Sequence, residues 1–452
     1  MQSLINNYFL FLKKVLRYIA PKPAPTLKKF VIKNELKFIY FFLALAVFNN
    51  LSHFIRKNLL GDRVDFWDFH VYWCSAKKFI SGINPYGGET IKNCLSQFNF
   101  DLYFSYPPIV LKFLSFLGYL ELNTAKIIWI AIVVISFLAI IFYLKKTYQI
   151  PKIFFFTLLL IFTGGGLIWG ALLAGNISII LYAILSVGIY YYILKKTNIY
   201  YLSVSLISLV KFPFLIFFVM PIFLYGCKFM FKHNLKEIKK IFFYFILTLF
   251  IYFLQFYFYK ELFTSFLNST ISYKSEGFLS IHGTGIGIHG IIDLYQNILY
   301  EKTSFNFFNP SGSFSFLIHL SISGTLFISS YFLFLRQSIP NNFEMYLKQE
   351  KLLISFFIAI FLCCFPRISS YDFFLLISSF FYIMRNSRIR LLSSNWNFIA
   401  CLLTISILAI YDSKYPAFII SFFLFLCFYL QIKKKDPFYL TSTMFNEVNK
   451  KV

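Results

Sequence analysis

Apolar runs of about 18 or more residues recur along almost the whole chain, and this narrows its possible folds more than any other feature. Each run is long enough to cross a hydrocarbon layer as a helix, the form in which a segment satisfies its own backbone N–H and C=O groups. A soluble core has no room for them. The 452 residues include 64 Phe and 32 Tyr and are only 13% charged, whereas soluble domains carry about 25%. The expected fold is an all-α polytopic membrane protein. The first span covers about 38–55, and others start near residues 107, 127, 153, 177, 200, 241, 314, 352, 371, 396 and 416. That gives about twelve spans with both termini cytosolic. No internal repeat of fixed period is visible.

The net charge of +25 does not indicate a nucleic-acid partner. Lys and Arg cluster between the apolar runs, at 13–37, 228–240, 385–390 and 433–435, as cytosolic loops of a membrane protein require. Residues 1–37 are read as a cytosolic basic segment, without the cleavage site of a signal peptide. Residues 38–432 form a multi-spanning membrane domain with outer loops at about 56–105, 260–313 and 365–371, and 433–452 a cytosolic basic tail. In this count Lys145, Lys146, Lys152, Lys195 and Lys196 fall outside, against the charge rule, so one segment is expected to be re-entrant. The candidates are 107–120, which is short and holds Lys112, and the run broken at Lys211-Phe212-Pro213. The seven cysteines show no metal-binding spacing. Cys363 and Cys364 suit packing, while Cys74 and Cys94 share the first outer loop and either pair in an oxidising compartment or stay free.

That first loop carries the chemistry. Asp65 and Asp68 stand among Phe66, Trp67, Phe69, Tyr72 and Trp73, followed by an Asn84-Pro85-Tyr86 turn and by Tyr106-Pro107-Pro108. Its 68–81 stretch suits an interfacial amphipathic helix. A carboxylate among aromatic rings at a membrane surface suits sugar chemistry on a lipid carrier, with Asp68 as general base and Asp65 ranked second. The other reading of Asp68 is a helix N-cap, and of the rings an interfacial aromatic belt. Lys211, inside an apolar run, either meets an anionic group or snorkels. Arg367 offers a planar donor fork to phosphate oxygens or simply flanks a span. Asp372 serves a substrate or caps a helix. His282 lies in a Gly-rich segment, 280–290, which is not a nucleotide loop because no Lys-Ser/Thr follows it.

The residues Asp68-Phe69-His70-Val71-Tyr72, Ala76, Gly82, Asn84-Pro85-Tyr86 and Tyr106-Pro107-Pro108 resemble the first-loop signature of glycosyltransferase family 87. These are polyprenyl-phosphate-sugar mannosyltransferase-like integral membrane proteins of the GT-C superfamily. Gly175-Asn176 resembles the family's Gly-Gln/Asn step, Lys211 its intramembrane Lys-Pro, and Pro366-Arg367 with Tyr371-Asp372 its late outer-loop motif. Lys211 departs from the pattern in being followed by Phe212 before Pro213. Tyr371-Asp372 stands where some relatives have a Trp-Asp-His-type sequence, so no catalytic His carries over there. The resemblance implies a GT-C-type bundle with a catalytic first outer loop. It also implies inverting transfer of a sugar, mannose first, from a polyprenyl-phosphate donor to a glycolipid or glycan acceptor. Asp68 would be the base, and Lys211 or Arg367 would meet the leaving phosphate. Tyr72, Asn84, Tyr86, Tyr106, His282, Tyr371 and Asp372 would line the substrate site, with no metal or cofactor. The setting would be a bacterial inner membrane, with the site facing the periplasm. The competing class is a transporter or flippase of lipid-linked sugars, against which stands the lack of an inverted repeat.

Overall fold

The computed structural model describes residues 66–86, 94, 104–148, 167–224, 235–275, 292, 313–335, 343–364, 379 and 382. The expected spans at 38–55 and from 153, 371, 396 and 416 lie wholly or largely outside the described residues, as do the 280–290 segment and Asp65, His282, Arg367, Tyr371 and Asp372. Among the described residues the chain is helical and holds no strand.

Helix α1 is Trp67–Ile80, α2 Pro108–Gly118 and α3 Leu122–Tyr148; α4 is Leu167–Ala174, α5 Ser178–Ile193 and α6 Thr197–Val210. A 3₁₀ segment, Phe212–Val219, follows, then α7 Leu235–Phe258, α8 Lys260–Ser275, α9 Ser313–Leu335 and α10 Phe343–Cys364. Among the described residues two helices are long and apolar enough to cross a membrane, α3 and the Lys236–Phe258 part of α7. Their outward faces are apolar, with Ile127, Ile135 and Leu138 on one and Phe243, Ile246 and Phe253 on the other. Such faces suit a lipid surround, which water does not offer.

The helices are ordered by what their ends touch. At one end of the bundle lies the start of α5, where Ser178 Oγ meets Lys211 just after α6. At the other end Tyr192 of α5 packs on Tyr200 of α6, with ring centroids 5.0 Å apart. There Lys240 donates to Thr197 Oγ1 at 3.2 Å, Lys146 lies 5.8 Å from the Tyr190 ring, and Lys195 pairs with the buried Glu350 of α10 at 2.7 Å. Lys146, Lys195 and Lys240 therefore share one end.

This corrects the count that placed Lys145, Lys146, Lys195 and Lys196 on the side of the first loop. The reason is α2. Its 11 residues extend about 16 Å. Its start is met by Gln255 Oε1, which accepts the Ile109 N–H at 3.1 Å. At its end Gly118 lies so close to Ala76 of α1 that an added Cβ would sit 2.8 Å from the Ala76 carbonyl, and Trp73 Nε1 donates to Leu120 O at 3.0 Å. Both ends lie against first-loop elements or the α7 terminus near them, so α2 does not traverse the bundle.

The break at Lys211 falls where the sequence places it. Pro213 cannot donate to a continuing α-helix, so α6 stops at Val210, Lys211 is extended (φ −129°, ψ 101°) and the chain resumes as a 3₁₀ turn. The centre of the bundle is aromatic. Phe217 meets Phe361 at 4.9 Å and Phe357 at 5.7 Å, and residues 352–364 of α10 are buried all round, as expected of a central helix.

Candidate active site

Helix α1 starts on an unusual residue. Phe66 has φ 63° and ψ 35°, the left-handed region that a bulky side chain rarely enters. Two contacts hold it there. Its N–H donates to Leu173 O at 2.7 Å, and its ring occupies space open only because residue 175 is glycine, since a Cβ there would come within 2.7 Å of Phe66 Cδ1. Gly175 itself, at φ 66°, closes α4 in a Schellman motif. Its N–H reaches Leu172 O and the Asn176 N–H reaches Ala171 O, each at 3.1 Å. Trp129 Nε1 of α3 then donates to Gly175 O at 2.7 Å. The end of α4, the start of α1 and the first turns of α3 are thus joined before any functional side chain is placed.

Asp68 sits in the first turn of α1, where the helix dipole favours an acid. It is not the N-cap. The capping position is Phe66, and no side chain bonds the terminus. The Asp68 carboxylate instead leaves the helix and accepts the Asn176 amide, Nδ2 to Oδ2, at 2.7 Å. Asn176 Oδ1 accepts the Ser178 N–H at 2.8 Å, and Ser178 Oγ accepts from the Lys211 ammonium at 2.7 Å. The two groups read from sequence as base and phosphate ligand, Asp68 and Lys211, are linked through one turn. Burial pushes the Asp68 carboxyl up to about 6, against the lowering pull of the Asn176 amide and the Lys211 charge. The residue keeps a partly exposed edge, so the carboxylate is enclosed without being sealed.

Tyr72, one turn beyond Asp68, faces the same way. Its hydroxyl accepts the Ile177 N–H at 3.2 Å and lies 3.3 Å from the Tyr106 hydroxyl. Burial holds its phenol well above the usual range. Phe69 and Trp129 complete an aromatic wall, with Tyr72 and Trp129 ring centroids 5.4 Å apart. Asn84 and Tyr86 do something else. Asn84 Oδ1 accepts the Tyr86 N–H at 3.0 Å, and its Nδ2 donates to Ser265 of α8 at 2.8 Å. Tyr86 donates to Tyr106 O at 2.7 Å. Their polar atoms hold the loop to α8 and to the segment before α2. Cys74 and Cys94 form a disulfide within this region.

The structure therefore brings together Asp68, Tyr72, Tyr106 and Lys211, while Asn84 and Tyr86 tie the first loop to Ser265 of α8 and to the Tyr106 carbonyl. Sequence reasoning missed Trp129 and Ser178 and gave Asn176 no role. A lone Trp and two small polar residues in apolar runs carry no periodic signal, and the cue available was Gly175-Asn176 as a helix stop. Chemically the arrangement offers an ionisable base and a fixed cation beside an aromatic wall. In comparisons with family models, curated proteins and solved structures, the chain matches none.

Proposed function

We propose that this chain is an integral-membrane glycosyltransferase, built as a GT-C-type bundle with fewer spans than the roughly twelve expected from apolar runs alone, because α2 is not one of them. It transfers a sugar, mannose first, from a polyprenyl-phosphate carrier to a hydroxyl of a glycolipid or glycan acceptor on the outer face of the membrane. The observation that carries this reading is the chain of contacts from Asp68 through Asn176 and Ser178 to Lys211. A base and a cation held apart by a rigid turn suit a displacement with a proton leaving at one end and an anion at the other. Asp68 takes the proton of the acceptor hydroxyl, whose oxygen attacks the anomeric carbon. The bond from that carbon to the carrier phosphate breaks, and the departing lipid phosphate meets the ammonium of Lys211. A carboxyl pushed to about 6 is ionised at neutral pH yet remains an effective proton acceptor.

The depth of the site agrees with a lipid-borne donor. Lys126 lies over the Phe66 ring and Lys146 over Phe142, and the rise between these α3 lysines is about 30 Å, the thickness of a hydrocarbon core. Lys240, in the second turn of α7, and Lys260, just past its end, are separated by the same number of residues. Trp129, one turn from Lys126, bonds the turn that holds Asp68. The site thus lies near the level where a carrier phosphate would rest. The Cys74–Cys94 disulfide favours the oxidising side of the membrane, such as the periplasm of a bacterium. The first-loop resemblance to glycosyltransferase family 87 supports the same assignment.

A second reading has one observation in its favour. A carboxyl titrating near 6 beside a lysine at the membrane rim also suits a proton-coupled transporter of lipid-linked sugar. One experiment separates the two. Protein in liposomes is given radiolabelled polyprenyl-phosphate mannose and a glycolipid extract. Transfer puts label on the acceptor with release of polyprenyl phosphate, whereas transport moves intact donor between leaflets with no new glycosidic bond.

A further inference from the structure

The amide of Asn176 has only one possible sense. Its Oδ1 accepts the Ser178 backbone N–H at 2.8 Å, and a backbone N–H can only donate. The oxygen is therefore the end at α5, and the nitrogen the end at Asp68. Nδ2 donates to Asp68 Oδ2 at 2.7 Å and cannot accept in return, so the contact stabilises the ionised carboxylate and not the acid. It engages one oxygen and, among the described residues, leaves the other for an incoming hydroxyl. Two residues on, the Ser178 hydroxyl is buried, 1% exposed, and receives the Lys211 ammonium. The turn between them is pinned by Ile177 N–H to Tyr72 and by Asn176 N–H to Ala171.

We propose that the 176–178 turn is a positioning device for both halves of the reaction. Asn176 orients the base and keeps it ionised, while Ser178 holds the lysine that meets the carrier phosphate, so base and cation keep one separation. This rests on the transferase reading above. The ionisable groups bearing on Asp68 are Lys211, from the break after α6, and Tyr72 of its own helix. Lys126 of α3 lies over Phe66 and acts on His70 instead. Lys112 of α2 is turned to the Tyr259 ring, and α4 carries no titratable side chain.

The two residues should fail differently. Asn176→Asp keeps the shape and the acceptor for the Ser178 N–H, but replaces a donor with an acid. Asn176→Ala removes the donor and cannot titrate. In liposomes both should move the acidic limb of kcat/KM to higher pH by about one unit, the size of a lost hydrogen bond to a charge, with donor KM unchanged. Ser178→Ala should raise donor KM about tenfold and leave the limb in place. A readout free of turnover runs beside these: the infrared carboxyl band of Asp68, identified by its loss in Asp68→Asn, whose midpoint should rise in both Asn176 variants. If the midpoint rises but wild-type protein transfers no sugar, the transferase reading fails and the positioning role stands. If transfer occurs but limb and midpoint stay put in both Asn176 variants, the positioning proposal is overturned. It is also overturned if Asn176 and Ser178 variants alter KM and limb alike, as a merely structural turn would. Should the Asn176 variants not fold, Asn176→Ser carries the same expectation, because its hydroxyl still accepts the Ser178 N–H but is too short to reach Asp68.

Discussion

The Asn176 amide donates to the Asp68 carboxylate across 2.7 Å, joining the start of α5 to a helix more than a hundred residues earlier in the chain. Everything around this bond restrains it. Gly175 makes room for Phe66, Trp129 fixes the carbonyl of Gly175, and Tyr72 holds the N–H of Ile177.

Gly175→Ala should be among the most damaging small changes in the protein. The position has φ 66°, and the added methyl would sit 2.7 Å from Phe66 Cδ1, 3.2 Å from Phe69 Cβ and 3.3 Å from Trp129 Nε1. We expect a loss of about 2 kcal/mol or more, read as a lower melting temperature in detergent, with transfer reduced further because Asp68 shifts with Phe66. A variant as stable and active as wild type would show that the α1 start is more pliable than its contacts imply.

Lys211→Met keeps much of the side-chain volume and removes the charge. Donor affinity should fall about tenfold or more, as for loss of a charge-assisted contact, while the empty protein loses the contact to Ser178, about 1 kcal/mol. Binding of labelled donor per folded molecule is the check. Ready unfolding with unchanged donor binding would make Lys211 structural.

Asp68 should make stability depend on pH in a direction opposite to that of a salt-bridged acid. Its carboxyl is raised in the folded protein to about 6, so the folded state holds the proton more tightly than the unfolded chain. The contribution is fullest below about pH 4, the ordinary range, and is lost as pH rises through about 6. Asp68→Asn should therefore stabilise the protein little near pH 4 and by up to about 3 kcal/mol above pH 7. Melting curves of the two proteins at both pH values test this, and a difference that does not grow with pH would contradict it.

Sidedness can be read with cysteines placed at the two ends. Ile83 is exposed beyond α1, and Lys196 lies at the opposite end with Thr197. With Cys74 and Cys94 left oxidised and the other five cysteines replaced, Ile83→Cys should react with an impermeant reagent from outside. Lys196→Cys should react only after the membrane is broken. The reverse pattern would turn the bundle over.

Much of the site was legible because its residues break local rules. Lys211 stands out as a charge in an apolar run, and Pro213 marks the helix stop beside it. Asp68, Tyr72 and Tyr106 stand out as a polar and aromatic cluster directly after a span. Asn176, Ser178 and Trp129 broke no such rule, since a small polar side chain or a lone Trp fits a membrane helix without comment. Their roles come from backbone partners that only the fold supplies. The count of spans put Lys145, Lys146, Lys195 and Lys196 on the outer side, and their conflict with the charge rule pointed to 107–120 as one of two candidate re-entrant segments. Length and apolarity describe a segment, but whether α2 crosses depends on Gly118 packing against Ala76 and on Trp73 holding Leu120.

The most direct test of the central claim is single-turnover transfer by Asp68→Asn, with donor binding measured on the same preparation. Asparagine keeps the size of the side chain and removes its capacity to take a proton. Donor affinity should stay close to wild type and the rate of glycosidic bond formation should fall by about two orders of magnitude or more. A rate near that of wild type would contradict this, and would show that Asp68 is not the base.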